Sequence, residues 1–136
     1  MLAVTTDSLV EEIETGLYDD PELIGWMTVT ANLSDLAAMG ARPAWATLAL
    51  TLPSADERWL AGFVAGFAAL AARHDVQLVG GDTTRGPLTV TVQVHGFVSA
   101  DAALRRSSGC AGDRLFVSGT VGDAALALKC ASSQAP

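Results

Sequence analysis

Lysine is almost missing from this chain. Lys129 is the only one, and the 8 basic side chains face 15 acidic ones, for a formal charge of −7. Binding to a phosphate backbone needs clustered Lys and Arg, so nucleic acid is excluded as a partner. An acidic chain still binds a polyanion where metal ions mediate, since carboxylates hold Mg²⁺ and its remaining positions take phosphates. Cysteine is also scarce: Cys110 and Cys130 make neither a disulfide framework nor a zinc site, and read as reduced thiols. The longest uncharged apolar run, Trp59–Ala72, falls short of the about 20 residues a bilayer requires and reads as a buried helix. No basic region with an apolar core and cleavage site opens the chain, so a cytoplasmic location is expected. The Walker A and Gly-x-Gly-x-x-Gly patterns are absent. His74 and His95 have no Ser or Cys partner at a readable spacing, and both read as structural.

What is present is apolar. Half of the 136 residues are hydrophobic, enough for one cored domain over 1–136, and the mean hydropathy of +0.35 is high for so small a chain. Either an apolar interface or plain alanine richness accounts for the excess.

Leu2–Thr6 reads as a strand that delivers Thr5, Thr6 and Asp7 to its end. A polar loop over Thr15–Asp20 leads to Pro21 at a first-turn helix position, with Asp19 or Asp20 as cap and Glu22 behind it. This helix is expected to reach Met39 and stop at Gly40. Ala44–Leu52 reads as an apolar strand opened by Pro43. The next helix, capped by Ser54 or Asp56, runs to about His74. Val76–Gly81 reads as a short buried strand, and Leu88–Val98 alternates as a half-buried one. Ala102–Ser107 is a turn or short helix with Arg105 and Arg106, Leu115–Ser118 a last strand, and a short helix starts at Ala124. The order strand–helix–strand–helix–strand–strand–strand–helix gives an α/β (α+β) domain with a mixed or antiparallel sheet. Trp26, Trp45 and Trp59 read as core or interface anchors.

The sharpest local feature is Gly80-Gly81-Asp82-Thr83-Thr84-Arg85-Gly86. It places a carboxylate and two hydroxyls at an expected strand-to-strand turn, among glycines that let a ligand approach the backbone. The same residues also read as an Asx turn that caps its own backbone. Asp7 stands behind Thr5-Thr6, and Asn32 and Asp35 share a face of the first helix at i, i+3 spacing. Mid-helix Asn and Asp are unfavourable by propensity and mark either a site or a solvated stripe. Together Asp7, Asp35 and Asp82 suggest carboxylates converging on divalent metal beside a nucleotide phosphate. Arg85 and Arg106 are candidate phosphate contacts. Gly119-Thr120-Val121-Gly122-Asp123 reads as a helix cap in preference to a phosphate loop.

These segments resemble bacterial thiamine-monophosphate kinases of the aminoimidazole-ribonucleotide synthetase-like superfamily. The resemblance is carried by Asn32–Ala41, Gly80–Pro87, Thr5-Thr6-Asp7, Leu48–Pro53 and Ser118–Asp123, and it extends to about Leu128. It implies a sheet with helices packed on one face, a homodimer paired through the sheets, ATP as phosphoryl donor and thiamine monophosphate as acceptor. It further implies Asp7, Asp35 and Asp82 as Mg²⁺ ligands assisted by Thr5 and Thr6, with Gly81, Asp82 and Arg106 at the ATP. The family also has an upstream paired-Asp segment, a substrate-facing His and a second domain. Here Glu14 falls at the His position and 129–136 reads as a divergent tail. The chain is therefore expected to be an incomplete, truncated piece of such a kinase, inactive alone. The alternative is a non-catalytic dimeric module that retains the sheet and part of the Mg²⁺–nucleotide site.

Overall fold

The computed structural model describes residues 1–10 and 20–132. The expected loop over 15–19 and Glu14 lie outside them. Two compact units divide the chain, Met1–Leu104 and Arg105–Pro136.

The first unit holds β1 (Leu2–Val10), α1 (Pro21–Ala38), β2 (Arg42–Leu52), α2 (Glu57–Arg73), β3 (Gln77–Arg85) and β4 (Thr89–Phe97). The strands form one mixed sheet in the order β1-β4-β2-β3. β4 pairs antiparallel with both β1 and β2, and β2 pairs parallel with β3 across the α2 crossover. This is the α/β architecture expected, with helices packed against a mixed sheet.

Capping residues set the helix starts. The Asp20 carboxylate accepts from the Glu22 N–H ahead of Pro21 in α1, and Asp56 accepts from the Arg58 and Trp59 N–H groups at the start of α2. The two helices cross with backbones nearly touching. A Cβ on Gly66 would lie 1.9 Å from the Glu22 carbonyl oxygen, and one on Gly25 would lie 2.1 Å from that of Phe63. Val29, Leu36, Phe63, Val90, Val92 and Val94 fill the core between helices and sheet. β4 alternates as expected, with Val90, Val92 and Val94 buried and the residues between them half-buried.

Neither α1 nor α2 covers the other sheet face, so it is helix-free within the described residues of this unit. Leu2, Val4, Trp45 and Phe97 are exposed on it, with Trp45 and Phe97 edge to face at 5.3 Å. Trp59 instead stacks on Phe63, and Trp26 packs at the edge of the core.

Several sequence expectations are corrected. β1 does not stop at Thr6: Ser8, Leu9 and Val10 continue to pair with Thr91, Val90 and Thr89, so Asp7 lies inside the strand. Gly80–Arg85 is strand, not turn, because the parallel β2 ladder holds it, and the chain turns instead after Gly86. β3 is not buried but exposed along its whole length, being the open edge of the sheet. Leu115–Ser118 is not a strand: Leu115, Phe116 and Val117 are exposed and pair with no neighbour among the described residues. In this second unit Arg106–Ser108 forms a 3₁₀ turn, and α3 (Asp123–Ser132) starts one residue before the expected Ala124, with Asp123 already inside it.

Candidate functional site

The site grows from the contact between β1 and α1. Strand alternation points Ala3 and Thr5 at the helices, and both are buried. The Thr5 hydroxyl donates to Asp35 Oδ2 at 2.8 Å, tying the strand to the last turn of α1. Asp7, two residues on, pairs in register with the fully buried Val92 and so shares the helix-facing side with Thr5. Thr6 points the other way and accepts from Gln93 Nε2 at 3.0 Å. Of the two threonines, Thr5 is the one beside the carboxylates.

One turn before Asp35, Asn32 is fully buried rather than part of a solvated stripe, whereas Asp35 is exposed. The Asn32 Nδ2 donates to the Thr28 carbonyl oxygen at 3.0 Å, and its Oδ1 is buried with no hydrogen-bond partner among the described residues. Leaving such an acceptor unpaired costs about 1–3 kcal/mol.

Asp82 is elsewhere. It pairs in register with Ala49 near the open β3 edge, and β2 and β4 lie between it and β1. Three strand spacings amount to about 14 Å. In keeping with that distance, no group of three or more His, Cys, Asp or Glu is placed to hold one metal ion among the described residues. One copy of the chain thus brings Thr5 to Asp35 with Asp7 alongside, and leaves Asp82 apart. Asp82 Oδ1 accepts from the Thr83 N–H, the local self-capping its sequence allowed. Gly81 has φ +156, and a Cβ there would sit 1.8 Å from the Leu48 carbonyl oxygen. The close approach that this glycine permits is to the β2 backbone. Arg85 and Thr83 line an open cleft of about 650 Å³ with Leu50, Leu52 and Leu60, at the carboxyl ends of the parallel strands. Arg106 belongs to the second unit, in the 3₁₀ turn. His95 pairs with Val4 and Trp45 on the helix-free face.

The donor set at β1 and α1 is all oxygen: two carboxylates and a hydroxyl. Hard cations such as Mg²⁺ take such ligands, often only one or two carboxylates, and fill their other positions with water and phosphate. These residues therefore fit a divalent cation that is completed by other ligands. Sequence reading singled out Asn32 for its cost in a helix; its burial and its orphaned oxygen required the packing to be seen.

Residues 1–98 match the family described as AIR synthase related protein, N-terminal domain. The thiamine-monophosphate kinase of Salmonella typhimurium is 50% identical over 127 residues, which cover 93% of this chain and 39% of that protein. The crystal structure of thiamine-monophosphate kinase from Stenotrophomonas maltophilia superposes with a TM-score of 0.90 at 51% identity, covering 99% of this chain and 43% of that one. A structure described as AaThiL complexed with AMPPCP and TMP gives a TM-score of 0.66 at 30% identity, over 70% of this chain and 31% of that one. The chain thus spans about two fifths of the length of the curated relatives it matches. It belongs to the AIR synthase related protein N-terminal domain family, in the company of thiamine-monophosphate kinases.

Proposed function

We propose that this chain is the metal- and nucleotide-binding portion of a thiamine-monophosphate kinase, which transfers a phosphoryl group from ATP to thiamine monophosphate. The observation that carries this reading is the 50% identity to the Salmonella kinase across 93% of the chain. The Thr5–Asp35 pair with Asp7 beside it supplies a matching chemistry.

In this reaction the nucleophile is a phosphate oxygen, already ionised at neutral pH. No general base is needed, and catalysis rests on positioning and charge neutralisation. Bound Mg²⁺ would supply that neutralisation at the ATP phosphates. Asp7 and Asp35 would hold it, and Thr5 keeps the Asp35 carboxylate in one orientation through its hydroxyl. Asp82 and Gly81 serve the nucleotide from β3. Their distance from β1 favours a site completed by further protein, and a second copy is one source, because β1 and β3 are the two open edges of the sheet. We include a homodimer formed through the sheet face on which Leu2, Val4, Trp45 and Phe97 are exposed. The resemblance gives Arg106 a nucleotide-phosphate contact, which titration of Arg106→Gln tests by itself.

The test is a chimaera in which this chain replaces the matching 127-residue stretch of the Salmonella kinase. Formation of thiamine diphosphate within about tenfold of the parent rate is the expected result. A folded chimaera slowed by more than about a thousandfold would overturn the kinase reading and favour the alternative, a non-catalytic module that retains the sheet and part of the site.

A further inference from the structure

The buried Asn32 oxygen has no hydrogen-bond donor among the described residues. The Thr5 hydroxyl donates its hydrogen bond to Asp35, and the Thr28 hydroxyl donates to the Ile24 carbonyl oxygen. The orientation of the Asn32 amide is fixed, because turning it over would set its oxygen against the Thr28 carbonyl that now receives Nδ2. Asn32 lies about 60° around the helix and about 4.5 Å along it from Asp35. That face of α1 is the one Thr5 reaches from β1. An acceptor without a protein donor, one turn from a carboxylate suited to a cation, calls for a donor that arrives with the cation.

We propose that Asn32 Oδ1 accepts a hydrogen bond from a water in the hydration shell of the divalent cation at Asp35, making Asn32 a positioning residue for that cation. The proposal rests on the metal site described under the proposed function. Mg²⁺ gives up its waters reluctantly and binds through few carboxylates, so its retained waters need acceptors in the protein. Water polarised by a cation is a strong donor, and because Asn32 is closed to solvent in this structure, that water reaches its oxygen only when the packing opens toward Asp35 as the cation binds. Hydrogen bonds to a metal's surroundings commonly set its affinity within a factor of 10–100.

The probe is Mn²⁺, titrated into the 136-residue chain and followed through the electron paramagnetic resonance of the free ion, with Mg²⁺ as competitor. Asn32→Leu keeps the number of side-chain heavy atoms and removes the acceptor. Its Mn²⁺ dissociation constant is expected to rise about 10-fold or more, while its melting temperature in EDTA stays at or above that of the parent. Asn32→Ala, which cannot overpack, decides by the same criterion if the leucine variant does not fold. A dissociation constant within twofold of the parent overturns the proposal, and so does a loss confined to metal-free stability. Asp35→Asn separates the two readings. If it abolishes Mn²⁺ binding while Asn32→Leu does not, only the role of Asn32 falls. If the parent chain binds no Mn²⁺, the metal site and the proposal fall together.

Discussion

Single residues in this fold are placed either by strand alternation or by helical spacing, and the two rules divide the polar set. Alternation sends Thr5 and Asp7 to the helix side and Thr6 to the other, so neighbours in sequence serve different faces. Asp35→Asn tests the helix-side group: it keeps an acceptor for Thr5 but removes a charge. We expect little change in stability and a weakening of Mg²⁺–ATP-analogue binding of about tenfold or more, read by isothermal titration. Equal affinity in the two proteins would remove Asp35 from the site. A different residue carries backbone cost to close a helix, the Asp75 and Val76 N–H groups turning back to the Ala72 and Ala71 carbonyl oxygens. Asp75, just after α2, has φ 55, the left-handed region that a side chain disfavours. Asp75→Gly is expected to stabilise the chain by about 0.5–1 kcal/mol, seen as a rise in the thermal midpoint.

Elements are held by two contacts that tolerate no added atom. Where α1 crosses α2, the glycines let the Gly66 backbone meet the Glu22 carbonyl oxygen. A methyl group there strikes main chain, which has no rotamer to escape into. Gly66→Ala is therefore expected to cost about 3 kcal/mol or more, despite its better helix propensity, and denaturant unfolding measures it. A gain in stability would show that the helices can separate without loss. Between β2 and β3 the same closeness recurs at Gly81, where the register shifts between Ala46 and Thr47. Gly, Asp and Thr in sequence read as a turn, since the first two are depleted in strands. The parallel ladder of β2 overrides that preference, as a neighbour in place supplies hydrogen bonds that isolated propensity does not count.

At the scale of the molecule, the helix-free sheet face with Leu2, Val4, Trp45 and Phe97 is too apolar to face water without consequence. A homodimer through this face is expected to bury about 1,200–2,000 Å² in total. Trp45→Arg should convert it to monomer in sedimentation, because a charge would be left unpaired at the interface. A parent chain that sediments as monomer at micromolar concentration would sink this arrangement. Activity belongs to the same scale. The 136-residue polypeptide alone is expected not to make thiamine diphosphate, because in-line transfer needs both substrates held together and a misplacement of about 1 Å costs on the order of a hundredfold. Turnover within tenfold of an intact kinase would show that this portion suffices. No helix among the described residues is long and apolar enough to cross a membrane.

The sequence by itself determined the features that depend on near neighbours. The caps at Asp20 and Asp56, the stop after Met39, the alternation of β4 and the two-helix, mixed-sheet class all follow from spacing within a few residues. Thr5, Asp7, Asp35 and Asp82 were likewise singled out as candidates by residue type and motif. Tertiary structure decided what depends on partners far along the chain. Pairing with β4 carried β1 through Asp7 to Val10, and β2 drew the Gly-Gly-Asp segment into a strand. The order β1-β4-β2-β3 then set Asp82 at one edge and Asp7 at the other, while packing against the sheet closed over Asn32. Residue type states which atoms can hold a cation, but only the order of strands and the closing of helix on sheet state which of them stand together.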